Sequence, residues 1–377
     1  MRRIVILGST GSIGENTLNI VRDFPDEFQV IGLAAGSNAV RLAEQAREFG
    51  VKRTALASDG GAAVDEIAAL PDADLVVCAI VGMAALSPVL AAIEAGHDVA
   101  IATKETLVAA GEIVTRRAAE KGVNLLPVDS EHSAIFQALQ GCGILPFCVR
   151  NRSHRQSATA AQQSELNLIL TASGGPFASR PDIDFETVTA AQALNHPRWK
   201  MGPKVTIDSA TMMNKGLEIL EARWLFDIPV ERIRVLVHPE SIVHSLVEFG
   251  DGAQLAQLGM PDMRLPIQYA MTWPHRFANA SLPRLNLAAI GALHFAEADE
   301  SRFPCLRLVR EAATLGGLAP TIMNAANEVA VAAFLNGEIS FAEIPRRIET
   351  ALSRCPSSPH SPTLSDILAA DAEERML

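Results

Sequence analysis

Five short apolar runs, Arg3–Leu7, Phe28–Ala35, Thr54–Ala57, Asp74–Ala79 and Asp98–Ala102, open this chain, and stretches of helical period separate them. No other feature constrains the fold as tightly. Strands that alternate with helices pair in parallel, because a parallel neighbour is reached only by a crossover that a helix can fill. The expectation is an α/β chain whose amino-terminal part is a Rossmann-like doubly wound sheet. Ligands of such sheets collect beyond the carboxyl ends of the strands, so the residues just after each run are the ones to read for chemistry.

After the first run come Gly8-Ser9-Thr10-Gly11-Ser12-Ile13-Gly14 and then a helical pattern through Asp23. Glycine lets backbone N–H groups approach an anion, and the start of a helix favours negative charge. The spacing G-x-x-G-x-x-G suits a dinucleotide phosphate or a plain tight turn, and its place at the head of a βαβ pattern favours the nucleotide. The second run ends in Gly36-Ser37-Asn38, where an enzyme using NAD would carry an acid for the ribose hydroxyl. With no acid to repel a 2′-phosphate, NADP is the expected cofactor. Lys104 and Glu105 follow the fifth run, ahead of a helix near Gly111–Lys121.

The next run, Asn124–Val128, ends in Asp129-Ser130-Glu131. Side chains two apart on an extended chain share a face, so both acids would project together beyond the strand. Such a pair is a solvated turn unless a cation lies between the carboxylates, and oxygen ligands suit Mg²⁺ or Mn²⁺. Further on, Ser173-Gly174-Gly175 after the strand Asn167–Thr171 offers a second glycine turn. The proline-bounded loop Asn195–Pro203 contains His196 and Trp199, with Trp199 either a lid or a core indole. Val205–Ser209 is expected as a strand running into a helix on which Asn214, Lys215 and Glu218 share a face, supplying a cation for a phosphate and a third metal oxygen. Glu221 is read as structural, and His238 and His244 as core or loop histidines. Further strands are expected at Val235–Val237, His238–Ser245 and Leu255–Leu258.

The organisation expected is a nucleotide domain over 1–138, a central α+β catalytic domain over 139–273, a linker over 274–304 and a carboxy-terminal helical bundle over 305–377. A net charge of −11 argues against a nucleic-acid partner. The polar run Asn151–Arg155 is read as solvated surface. Five cysteines without CxxC pairing suit a reducing cytoplasm. No segment has the length of a membrane span, and the apolar run at the amino terminus is too short for a secretory signal.

GSTGSIG at Gly8–Gly14, PVDSEHSAIFQ at Pro127–Gln137, SGGPF at Ser173–Phe177, HPRWKMG at His196–Gly202 and VTIDSATMMNKGLEILEARWLF at Val205–Phe226 resemble the 1-deoxy-D-xylulose 5-phosphate reductoisomerase family. AQLGMPDMRLPI at Ala256–Ile267 and NAANEVAVAAFL at Asn324–Leu335 extend the resemblance across essentially the whole chain. It implies an NADPH- and metal-dependent rearrangement and reduction of a sugar phosphate, and a homodimer. Carried over residue by residue, Thr10, Gly11, Ser12, Ile13, Gly36, Ser37, Asn38, Glu105 and Gly202 match cofactor positions, and Thr103 stands where the family commonly has Asn. Asp129, Glu131 and Glu218 match the metal ligands. Lys104, Ser130, Ser173, His196, Ser209, Asn214, Lys215 and Glu218 match substrate contacts, with Trp199 over the substrate. A metal-independent dehydrogenase of the homoserine type shares the glycine turn but leaves the three acids without a role. A non-catalytic nucleotide sensor likewise has no use for them.

Overall fold

A computed structural model describes residues 1–144, 146–149, 165–199, 201–355 and 361–377; the run Asn151–Arg155 lies outside them. Six parallel strands form the first sheet, β1 (Arg2–Leu7), β2 (Phe28–Ala35), β3 (Arg53–Leu56), β4 (Leu75–Cys78), β5 (Asp98–Ile101) and β6 (Leu125–Pro127). Their order, β3-β2-β1-β4-β5-β6, is the doubly wound one. Ile4–Leu7, Leu75–Cys78 and Val99–Ile101 are wholly buried, because helices cover both faces. The strand order reverses between β1 and β4, and the Gly8 turn stands at that point. Gly8 has φ +83°, and a Cβ there would lie 2.5 Å from the Ala79 carbonyl oxygen. A Cβ on Gly14, in α1 (Ser12–Asp23), would lie 2.4 Å from the Gly8 carbonyl oxygen. The first glycine therefore makes the turn, and the last lets the helix close on it.

The second sheet is mixed, with the order β10-β9-β7-β8-β11. Its strands are β7 (Asn167–Ala172), β8 (Ile233–Val237), β9 (Val243–Glu248), β10 (Gln254–Leu258) and β11 (Ala296–Glu297). Strand β7 runs parallel to β8 and antiparallel to β9. The helix α6 (Ser130–Gly141) leaves the last strand of the first sheet and packs on β9 and β10, which joins the two layers.

Between the layers runs a long buried helix, α9 (Met213–Phe226), packed on α5 (Lys104–Lys121) and on α12 (Pro304–Leu315). It is buried nearly all round, as a helix at the centre of an assembly must be. Small residues admit its neighbours: a Cβ on Gly216 would meet Val309 at 2.5 Å, and one on Gly111 would meet the Trp224 ring at 2.2 Å. After α12 come α13 (Ala319–Leu335), α14 (Glu343–Ser353) and α15 (Leu364–Glu374), which give the expected carboxy-terminal helices.

Four expectations change. The segment Val205–Ser209 is helical, part of α8 (Pro203–Ala210), because Pro203 starts the helix and packing overrides the β-branched residues. Helix α5 begins at Lys104 instead of near Gly111, with an interruption at Ala110 (φ −132°) where the Trp224 ring presses in. The strand expected from His238 starts at Val243, after a turn in which Ser241 has φ +53°. The stretch 274–304 carries α11 (Leu287–Ile290) and the edge strand β11. It is also pinned to the first layer, since Asn279 and Ser281 donate to Asp23 at 2.9 and 2.6 Å.

Candidate active site

A cavity of about 420 Å³ opens where the glycine turn, the carboxyl ends of β4–β6, the end of β7 and helix α9 meet. Gly11, Ser12, Ile13, Thr103, Lys104, Glu105, Asp129, Ser130, Glu131, Ser173, His196, Trp199, Gly202, Ser209, Asn214, Lys215 and Glu218 all line it. Thr10, Gly36, Ser37 and Asn38 do not. The last three are exposed at the end of β2, beside the glycine turn, which its Gly8 and Ser9 amides tie to the Ala34 carbonyl at 2.8 and 2.9 Å. Asn38 caps α2 (Ala39–Glu48) by accepting from the Arg41 amide. Gly11 caps α1 with no side-chain hydrogen bond, which leaves first-turn N–H groups facing the cavity for an anion. The Thr103 hydroxyl donates to the Ile80 carbonyl and so braces β5 against the turn after β4.

The two acids of the D-S-E motif converge by a different route from strand alternation. Asp129 is the N-cap of α6, accepting from the Ser130 amide at 3.0 Å, and Glu131 stands in the first helical turn. Glu218 comes from α9. One carboxylate oxygen from each of Asp129, Glu131 and Glu218 lies within 4.8 Å of the others. Two ligands at about 2.1 Å from one Mg²⁺ can be about 4 Å apart at most, so a small inward movement of the side chains fits the set to a hard divalent ion.

Two ammonium groups thread this cluster. Lys104 Nζ donates to Asp129 at 2.6 Å, Asn214 at 2.8 Å and Glu218 at 3.0 Å, while Lys215 Nζ reaches Glu131 at 2.6 Å and also Glu218. Asn214 Nδ2 donates to Glu218 at 2.6 Å. Burial opposes the charge on both lysines, yet the acids outweigh it and hold both pKa values above the ordinary range. Burial also opposes ionisation of Asp129, and Lys104 overcomes it, so this carboxyl stays well below the usual value. Glu218 moves the other way, raised by burial and then by Glu131. Three carboxylates against two ammoniums leave one negative charge, which a divalent cation reverses. The reversal prepares the cavity for an anionic substrate.

In the same cavity, Ser173 Oγ lies 3.0 Å from His196 Nε2. His196 Nδ1 accepts from the amides of Arg198 at 3.2 Å and Trp199 at 2.9 Å. Burial lowers the His196 pKa, so the neutral ring carries its proton on Nε2 and donates it to Ser173. Ser173 Oγ also accepts from the Gly175 amide at 3.2 Å, which leaves its hydroxyl proton for a ligand. Trp199 is half-buried on the cavity wall, which excludes the core reading.

Several residues of this region carry no signal in the sequence. His132 is fully buried; its Nε2 donates to the Glu218 carbonyl at 2.9 Å and its Nδ1 lies 3.5 Å from Glu221. Asp129, His132 and Glu221 form a second acidic group behind the first. Burial raises the Glu221 carboxyl well above its ordinary value. His244 lines the cavity, with its pKa pushed down to about 4 by burial. His238 stays away from it, stacked on Phe295 and donating to the His294 carbonyl. Only the three-dimensional packing of α6, α9 and β9 brings His132, Glu221 and His244 to the site.

A doubly wound sheet with its glycine turn opening into a cavity lined by acids and lysines defines a dinucleotide-dependent oxidoreductase with a metal centre. Three family models match the chain: "1-deoxy-D-xylulose 5-phosphate reductoisomerase" over residues 4–60 and 52–111, the C-terminal domain of that enzyme over 125–226, and "DXP reductoisomerase C-terminal domain" over 258–377. The 1-deoxy-D-xylulose 5-phosphate reductoisomerase of Shouchella clausii is 48% identical over 393 residues, covering 100% of this chain and 99% of its own. The enzyme of Chlorobium chlorochromatii is 49% identical, covering 93% of this chain and 92% of its own. Among solved structures, the Zymomonas mobilis reductoisomerase in complex with NADPH superposes with a TM-score of 0.86 at 39% identity, covering 100% of this chain and 97% of the other. A DOX-P reductoisomerase in complex with NADPH, fosmidomycin and magnesium gives 0.91 at 37% identity, with the same coverage. The chain belongs to the 1-deoxy-D-xylulose 5-phosphate reductoisomerase family.

Proposed function

We propose that this protein converts 1-deoxy-D-xylulose 5-phosphate to 2-C-methyl-D-erythritol 4-phosphate with NADPH and a divalent metal, Mg²⁺ or Mn²⁺, a step that makes isoprenoid precursors. The observation that carries this reading is the placing of Asp129, Glu131 and Glu218 within 4.8 Å of one another, in the same cavity as the Gly11–Ile13 turn. Bound by those carboxylates, a hard cation supplies Lewis acidity to the substrate's carbonyl and adjacent hydroxyl oxygens. NADPH held at the Gly11–Ile13 turn would supply the hydride that, with a proton from solvent, reduces the rearranged aldehyde to the alcohol.

The chain's own groups bind and orient. Lys104 and Asn214 hold Asp129 and Glu218 in place. Ser173, Ser209, Asn214 and Lys215 take the phosphate end, with the Ser173 hydroxyl free to donate because His196 already supplies its other hydrogen bond. Ser130 and His196 complete the substrate contacts. Trp199 covers the ligand and excludes water from the reacting atoms. The amides of Thr10–Ile13 take the pyrophosphate, Gly36, Ser37 and Asn38 the adenosine ribose, and Thr103, Glu105 and Gly202 further parts of the cofactor. The proposed division of labour is cofactor binding over 1–138 and metal and substrate binding over 139–273, with 274–304 as the connection and 305–377 as the helical support. A homodimer is proposed from the family resemblance, and light scattering tests it. Five free cysteines accord with a cytoplasmic setting.

NADPH oxidation with the deoxyxylulose phosphate tests the proposal. Turnover should disappear in EDTA and return with Mg²⁺ or Mn²⁺. Turnover that persists in EDTA, or no oxidation with metal present, would overturn it.

A further inference from the structure

Beneath the cavity wall, Lys204 Nζ lies 2.7 Å from Glu105 and 2.8 Å from Asp208. The three side chains are 19%, 5% and 1% exposed. Glu105 and Asp208 line the cavity, and Lys204 bridges them without lining it. Asp208 also accepts from Asn327 at 2.9 Å, which ties the network to the carboxy-terminal helices. Lys204 occupies the first turn of α8 with its acid four residues later. A cation at that position opposes the helix dipole, and a lysine ahead of its acid is the weaker of the two i,i+4 orders. Local helix stability therefore does not account for Lys204. Its partner across the fold does.

We infer that Lys204 is a positioning residue for the cofactor: its ammonium serves as the counter-ion that lets the Glu105 carboxylate face a polyanionic dinucleotide. The inference rests on the reading of Glu105 as a cofactor contact. Two carboxylates in that wall repel NADPH, the single Lys204 ammonium offsets one of the two charges, and without it a buried Glu105 carboxylate facing Asp208 would be doubly disfavoured. Burial opposes the Glu105 charge and Lys204 overcomes that opposition, so the carboxyl stays ionised. Lys204 thus joins the start of α5, which carries Lys104 and Glu105, to α8, which carries Ser209 and follows the His196–Gly202 loop.

The test measures NADPH binding by nucleotide fluorescence on the full-length chain, beside the KM for each substrate. Lys204→Met should weaken NADPH binding about tenfold or more and leave the KM for the sugar phosphate nearly unchanged. Adding Glu105→Gln to that variant should restore much of the binding, because it removes one of the two stranded charges, the one read as facing the cofactor, while Asp208 keeps its hydrogen bond from Asn327. A purely structural lysine predicts no such rescue. Lys204→Gln, which keeps a donor without the charge, reads the same link where Lys204→Met folds poorly by circular dichroism. Wild-type affinity in folded Lys204→Met or Lys204→Gln, a double variant no better than its parent, or equal loss of both ligands would overturn the inference. A wild-type chain that does not bind NADPH would overturn the functional reading first, before any variant is made.

Discussion

At the scale of single residues, the cavity separates two tasks, and substitutions should separate them too. Asp129→Asn and Glu218→Gln each remove one oxygen charge from the three-carboxylate set while the Gly11–Ile13 turn stays as it is. Turnover should fall by about 100-fold or more, and NADPH affinity measured by fluorescence should hold; parallel loss of both would refute the separation. Ser37 is exposed at the end of β2 with no acid beside it on the strand. Ser37→Asp should therefore erode the preference for NADPH over NADH, read as the ratio of kcat/KM values, and an unchanged ratio would count against the 2′-phosphate argument. Where the contiguous motifs meet was legible: Gly11–Ile13 of the glycine turn, Asp129-Ser130-Glu131, and Asn214, Lys215 and Glu218 all line one cavity. Lys204, Asp208, His132, Glu221 and His244 were not, because each acquires its role from a partner 10 or more residues away in another element, or from burial that only the assembled fold creates.

At the scale of elements, the sequence is clear about period and weak about competition between local and tertiary preferences. The parallel strands were readable because burial on both faces leaves unbroken apolar runs. Val205-Thr206-Ile207 looks like a strand by composition, yet Pro203 and the packing of α8 make it a helix. The convergence of Asp129 and Glu131 was anticipated from strand alternation, whereas an N-cap and a first helical turn produce it. The His196–Gly202 loop gives this scale its prediction. Its conformation depends on His196 Nδ1 accepting from the Arg198 and Trp199 amides, which requires a neutral ring. Burial holds the folded pKa of His196 below its ordinary value of 6.5. An opened loop then takes up a proton that the closed loop refuses, so closure is fully favoured above about pH 6.5 and is lost as pH falls below it. With Trp224 and Trp273 replaced by Phe, the Trp199 emission should shift on acidification through that range, and the KM for the sugar phosphate should rise with it. A flat emission profile between pH 7 and 5 would show that His196 does not anchor the loop. Trp199→Ala should lower turnover more than it lowers NADPH affinity, by about 10-fold or more, since a lid acts chiefly on the reacting complex; equal effects in single-turnover and binding measurements would rule the lid out.

At the scale of the whole molecule, the question is whether the nucleotide-binding sheet and the rest of the chain unfold together. Composition alone places a linker at 274–304. The structure stitches the sheet to the rest of the chain at several depths. Arg2 donates to the Met271 carbonyl at 2.9 Å, Phe24 meets Phe277 edge-on at 5.7 Å, and Arg276 donates to Gln137 at 2.9 Å. Thr321 of α13 donates to the Ala109 carbonyl at 3.1 Å, at the interruption of α5, and Val309 of α12 fills the space left by Gly216 on α9. Separation would expose these apolar contacts and leave the buried Asp208 carboxylate without Asn327. One cooperative transition is therefore expected, although a chain of this length often shows more than one. NADPH supplies the probe, because its proposed contacts lie mostly on the first sheet while Trp199, Trp224 and Trp273 all lie beyond it. At about 100 times its dissociation constant, a ligand stabilises the state it binds by about 2.7 kcal/mol. For a chain of this size that should raise Tm by roughly 3 °C. Tryptophan emission and far-ultraviolet circular dichroism should shift by the same amount. Two transitions, with NADPH moving only one and leaving the tryptophan signal in place, would mean that the sheet melts on its own and that the stitching contacts contribute little.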